Sequence, residues 1–289
     1  MTSTRPQSTV SRPVLWIGDD DDEELGLARA AIEPTLARRQ APLRSFVGPD
    51  EACAAAALDP TTPRLGILAT DRPSRWTLDD AVRLSRVWPL MPIVSVASSL
   101  VDGRRRSGPP LPGIEEVPWY DLSGRVETWI DGWEAGRVGT LAAPAAMRRD
   151  ERLLGIVPAT PRELLTISIV APTPIDTEGL ATLVPIAGGV VAATQCGRPR
   201  LDEPVDAIVW DVGSLSGEVL GWLGILAANR PQVAIILVES FPRGDFVRAA
   251  LEAGATAVLG KPLSVEALTG TLHRLRPAAD GLGGKRPHC

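Results

Sequence analysis

The feature that most constrains this chain is an alternation, run through twice, of short apolar stretches with helix-period segments. In the first half the apolar stretches are PVLWIG (13–18), LRSFVG (43–48), RLGILAT (64–70), PIVSVAS (92–98) and IEEVPW (114–119). Each has the length of a buried strand rather than a helix. The segments between them predict helices near 23–39, 50–58, 77–88 and 123–135, whereas SLVDGRRRSGPPLPG (99–113) holds too much Gly and Pro for a good helix. In the second half the stretches are LLTISIVA (164–171), GGVVAATQ (188–195), VDAIVWD (205–211), VAIILVE (233–239) and TAVLG (256–260). Helices are expected at 176–186, 216–229, 244–253 and 264–275, while in the short, proline-broken link CGRPRLDEP a helix is expected to be missing or reduced to one turn. Strand–helix alternation of this kind builds parallel sheets covered by helices, so each half reads as one α/β domain.

The predicted organisation is a disordered N-terminus (1–12), a first domain (13–136), a linker of partly helical character (137–163), a second domain (164–276) and a disordered tail (277–289). Two domains suit 289 residues, and 44% hydrophobic against 22% charged residues is enough for packed cores. A formal charge of −5 speaks against a general nucleic-acid binder, and the basic run GRRRSGPP (103–110) reads as a solvated loop. Cys53, Cys196 and Cys289 form no CxxC pair, which suits a reducing, cytoplasmic setting. No apolar run nears the ~20 residues needed to span a bilayer, so no membrane partner is expected. His273 and His288 are the only histidines and fall in the last helix and the tail, which leaves catalysis by a His base little to work with.

An open parallel sheet places functional residues just beyond the carboxyl ends of its strands. In the second half those ends carry Asp211, then Glu239 and Ser240, then Lys261 followed by Pro262. Asp211 and Glu239 are 28 positions apart, and Glu239 and Lys261 are 22 apart. With strand order 2-1-3-4-5 the third and fifth ends flank one crevice, where a carboxylate and an ammonium can meet.

This spacing, together with FVRAALEAGATAVLGKPLSVEAL (246–268), resembles the receiver domain of two-component response regulators. The resemblance implies two tandem flavodoxin-like (βα)₅ three-layer sandwiches with parallel sheets of order 2-1-3-4-5. It also implies a phosphoacceptor-like role for Asp211, a switch position at Glu239 and Ser240, and a phosphate-contacting role for Lys261. In the first half VLWIGDDDDEELGLARAAIE (14–33) looks like a receiver opening, with Asp19 and Asp20 as the metal-binding pair. Capping of the following helix by Asp20 to Glu24 is the alternative, since anions are favoured at a helix N-terminus.

Each half departs from the receiver pattern. After its first strand the second half reads SIVAPTPIDTEG, so Asp176 and Glu178 come too late to hold Mg²⁺, and Glu239 replaces the switch hydroxyl. The first half ends its third strand on Ala69 and Thr70, with Asp71 late, and its fifth strand on Trp119 in place of lysine; Ser98 offers a switch-like hydroxyl. The expectation is therefore a non-enzymatic signalling or scaffolding protein of two degenerate receivers, without cofactor. Lys261 is expected to tie Asp211 and Glu239 together. Its partners would be other signalling proteins, a histidine kinase or an output protein, with 244–275 as the docking face and a homodimer through that face left open. The alternatives are a phosphorylatable receiver using Asp211 with Mg²⁺, and a flavodoxin-like ligand- or nucleotide-binding protein.

Overall fold

The computed structural model describes residues 12–19, 21–59, 61–102, 111–134 and 164–276. The expectations for the termini, Asp20, the run 103–110 and the linker 137–163 lie outside these residues. The chain divides into two compact units, Met1–Arg152 and Leu153–Cys289.

The first unit contains β1 (Val14–Ile17), α1 (Glu23–Arg38), β2 (Leu43–Phe46), α2 (Pro49–Ala56), β3 (Leu65–Thr70), α3 (Leu78–Val87), β4 (Ile93–Ala97), α4 (Ser99–Asp102), β5 (Glu115–Pro118) and α5 (Leu122–Glu134). Its strands are all parallel, in the order β2-β1-β3-β4-β5. β1 and β3 are buried along their whole length, which is why they read as continuous apolar runs and not as alternating ones. α1 starts at Asp22, whose carboxylate accepts the N–H groups of Glu24 and Leu25 at 3.0 and 3.1 Å. α3 starts with a reciprocal capping box between Thr77 and Asp80. Among its described residues, the Gly/Pro-rich fourth connection supplies the single turn of α4.

α1 and α5 are joined through a buried carboxylate. Glu127 on α5 is fully buried; it accepts from Thr35 Oγ1 at 2.8 Å and from Arg38 and Arg39 at 3.0 Å each. Arg39 also reaches Asp131 at 2.5 Å and pairs with Glu134.

The second unit contains β6 (Leu165–Ala171), α6 (Pro174–Ile186), β7 (Gly189–Cys196), β8 (Ala207–Gly213), α7 (Gly217–Asn229), β9 (Ala234–Glu239), α8 (Gly244–Glu252), β10 (Ala257–Gly260) and α9 (Val265–Arg274). The sheet runs β7-β6-β8-β9-β10, again all parallel. Both sheets thus have the 2-1-3-4-5 order of the doubly wound flavodoxin-like fold. No helix links β7 to β8. The expected strands and helices occur within about two residues of the sequence-derived bounds.

Gly254, at the turn before β10, is required twice over. Its φ of +106° is a left-handed conformation, and a Cβ there would lie 2.4 Å from the Ala227 methyl on α7. Ser264 caps α9 through the Ala267 N–H at 3.2 Å.

Candidate functional site

In a sheet of this order the strand direction of winding reverses between the first and third strands, and the crevice above that point is where ligands sit. In the second unit the crevice lies over the ends of β6 and β8. β8 is bulged at its end: Asp211 pairs with Val238 and Gly213 with Glu239, so Val212 is the extra residue. Such a bulge re-aims the side chain beside it. Asp211 is 2% exposed, and both its oxygens are engaged: Oδ1 accepts from Gly213 N at 2.9 Å, and Oδ2 lies 2.6 Å from Lys261 Nζ. Lys261 follows β10 and keeps a third of its side chain in solvent.

Glu239 does not join this pair, contrary to the expectation that Lys261 would tie two carboxylates together. It is 4% exposed, and the backbone N–H groups of Leu215 and Phe241, one in each of the loops after β8 and β9, act to draw its carboxyl down. Its Oε2 has no partner among the described residues. Burial pushes its carboxyl above the ordinary range, with the two backbone N–H bonds opposing. The geometric reason is local: Glu239 ends β9 opposite Gly213, beside two loop amides that need an acceptor. Ser240, one residue on, is exposed and takes its N–H to the Gly213 carbonyl at 2.9 Å.

Beyond β6 stand Pro172 and Thr173, and Thr173 is the N-cap of α6. Asp176 turns back onto that cap, accepting from Thr173 Oγ1 at 2.6 Å. No carboxylate follows β6 where an acidic pair would be held.

In the first unit the corresponding crevice lies over β1 and β3, and the chain fills it from the loop before α3. The Trp76 indole donates to the Ala69 carbonyl at 2.8 Å, and a Cβ on Gly18 would come 3.3 Å from its ring. Gly18 has φ +134° and lies so close to Ala69 that no side chain fits. Arg75 stacks on Trp76 with its guanidinium 5.0 Å from the ring centre. It reaches Asp19 at 2.9 Å and Asp71 at 3.8 Å. Of the acidic run, Asp19 is ion-paired with Arg75, and Asp22 caps α1 as the capping reading expects. Ser98 is buried and donates to the Asp71 carbonyl at 3.0 Å, and Trp119 is buried just past β5.

The sequence reading missed Arg75 and Trp76. The available signal was the acidic cluster itself: the loop after the third strand overhangs the same crevice, and DRPSRW is the cationic, aromatic segment of that loop.

No known family model matches the chain, and no curated protein sequence does. Among solved structures, a putative pilus assembly-related protein from Burkholderia pseudomallei is similar at 22% identity, over 39% of this chain and 89% of that one, with a TM-score of 0.35. A putative pilus assembly protein from Burkholderia thailandensis is similar at 23% identity over 39% and 98%, TM-score 0.35. The Vibrio cholerae chemotaxis protein CheY4 is similar at 19% over 39% and 100%, TM-score 0.35. The class of the protein rests on its own two sheets: it is a chain of two tandem units with the receiver-like, flavodoxin-type α/β fold. Among the described residues no helix is long and apolar enough to cross a membrane.

Proposed function

We propose that the protein is a non-catalytic signalling or scaffolding module, built of two degenerate receivers that dock partner proteins without being phosphorylated. The observation that carries this reading is the closed Asp211–Lys261 pair in a crevice whose β6 edge offers Pro172 and Thr173 in place of carboxylates. Phosphoryl transfer needs its developing charge neutralised by a positioned cation, and without acids beyond β6 a Mg²⁺ ion has little to hold it there. At the switch position a buried carboxylate, Glu239, takes the place of the hydroxyl a receiver would use. In the first unit Arg75 and Trp76 occupy the equivalent space. The docking face of the second unit is formed by α8, β10 and α9, where Phe246 and Leu251 on α8 are 39 and 41% exposed, with Phe241, 51% exposed, in the loop before α8.

One observation favours a second reading, a receiver phosphorylated on Asp211: Lys261 stands where it would pair with a phosphoryl group. Incubation of the full chain with a small acyl phosphate and Mg²⁺, followed by intact mass measurement, decides between the two. The expected result is an unchanged mass. A single phosphate increment that disappears in Asp211→Asn would overturn the proposal.

A further inference from the structure

β9 ends on a carboxyl group that the fold buries without a counterion. Glu239 is 4% exposed, and its Oε2 has no partner among the described residues. Val238 belongs to the core cluster of Leu268 and Leu272 on α9, so Glu239, the next residue, points to the opposite face of the sheet. Its cross-strand neighbours are both glycines, Gly213 on β8 and Gly260 on β10. No side chain therefore stands beside it on either flanking strand, and a Cβ on Gly213 would meet nothing within 4 Å. The carboxyl is buried, yet the strands beside it do not hem it in.

The charged groups of the surrounding elements are engaged elsewhere. At the end of β8, Asp211 is bonded to Gly213 N and to Lys261. Lys261, just past β10, gives its ammonium to Asp211 and only its backbone N–H, at 3.0 Å, to the Glu239 carbonyl. The loop after β8 holds no charged residue before Glu218 on α7, which pairs with Arg198. After β9, Arg243 pairs with Asp245 at 3.6 Å and lies over the Phe246 ring, while Arg248 and Glu252 on α8 are exposed. An ionised Glu239 thus has no cation to meet it, and a buried anion without a partner costs far more than a buried neutral acid. Burial is the largest cause that raises its carboxyl, opposed by the Leu215 and Phe241 amides, and no charged group contributes.

We propose that Glu239 is a proton-operated latch: protonated, it stays buried at the end of β9, and on ionisation it turns out to water and loosens the loop 240–243. That loop is the way out, since Ser240, Phe241 and Arg243 are exposed. It leads into α8, whose N-cap residue Arg243 supplies no side-chain cap to hold the helix start. The effect reaches the surface because Phe241, 51% exposed, lies in the loop and Phe246, 39% exposed, lies in the first turn of α8. The head of α8 is then fixed below the titration point of Glu239 and loosened above it. Neither the Asp211–Lys261 pair nor the bond from Lys261 N uses the Glu239 carboxyl, so the sheet and the ion pair persist in both states. The latch is independent of whether Asp211 accepts phosphate and of what docks on this unit.

Residue-resolved amide hydrogen exchange of the full chain over a pH series tests it, corrected for the intrinsic base-catalysed rise. The carboxyl resonance of Glu239 is followed in parallel in isotope-labelled protein and assigned by through-bond correlation. The carboxyl is expected to titrate above the ordinary carboxylate range. The amides of Phe241 and Arg243 should open about tenfold more often above that midpoint than below it. In Glu239→Gln, which carries no charge at any pH, their opening should stay constant, with circular dichroism confirming the fold. If the glutamine variant does not fold, the wild type decides alone: loop opening that shares the midpoint of the Glu239 carboxyl supports the latch, and a separate midpoint overturns it. A carboxyl that titrates in the ordinary range overturns the proposal, as does loop opening unchanged through its midpoint. A folded Glu239→Gln that keeps the pH-dependent opening overturns it too.

Discussion

Lys261 Nζ sits 2.6 Å from an Asp211 carboxylate that is only 2% exposed, while the lysine itself is one-third exposed. The two ends of the pair therefore differ in what they lose when the other is removed. Lys261→Met leaves a buried anion held only by the Gly213 N–H, at an expected cost of about 1–3 kcal/mol, below that of a fully buried pair. Asp211→Asn keeps an acceptor for that N–H and leaves a lysine that can turn to water, so it should cost about 1 kcal/mol or less. The double variant should cost less than the sum. Urea unfolding of all three checks the order; an Asp211→Asn loss larger than that of Lys261→Met would show that the lysine is not there to serve the buried anion.

Glu239 gives a pH dependence of known sign. Burial raises its carboxyl above the ordinary value, so between the ordinary and raised values the folded protein holds a proton that the unfolded chain has released. Stability from this group is then highest at low pH and falls as pH rises through that window. Glu239→Gln removes the charge and keeps an acceptor for the Leu215 and Phe241 N–H groups. The Tm of the variant relative to wild type should therefore grow as pH rises from the ordinary carboxylate range through the raised value. A constant difference across that range would place the anion's cost elsewhere.

The α1–α5 clamp yields a third expectation. Glu127→Ala removes the acceptor shared by Thr35, Arg38 and Arg39. Arg38 is half exposed and can rehydrate, but Arg39 is 21% exposed and loses its most buried partner. The expected loss is about 2–3 kcal/mol, read from chemical unfolding. It should depend little on salt because Glu127 is out of water.

How far these sites were visible in the sequence depends on the range of the interactions that make them. The strands and helices were legible because their signals are local: β3 is apolar throughout since it is buried on both faces, and Ser264 stands where a cap belongs. The Asp211 and Lys261 ends were legible because strand order puts the third and fifth strand ends over one crevice. The partner of Glu239 was not, because two loop amides leave no trace in residue type. Nor was the clamp: Glu127 reads as one more charge on an amphipathic helix, and its arginines lie 88 and 89 positions earlier. Asp19 and Arg75, 56 positions apart, were separated in the same way.

Trp76 carries the last expectation. Its indole covers the ends of β1 and β3, packs with Leu15, Ile17 and Leu68, and donates to the Ala69 carbonyl. Gly18 permits this closeness, since any Cβ there would strike Ala69. Trp76→Ala removes a nearly buried aromatic from a site whose floor is rigid strand backbone, so collapse around the space should be small and the cost about 3–4 kcal/mol. Trp76→Phe fills most of the volume and loses the hydrogen bond, and should cost about half as much. Arg75 loses its stacking surface in the alanine variant and keeps it in the phenylalanine one. Chemical unfolding of the two variants therefore separates space-filling from hydrogen bonding. Equal losses would mean that the indole N–H, and not the ring, closes the first unit's crevice.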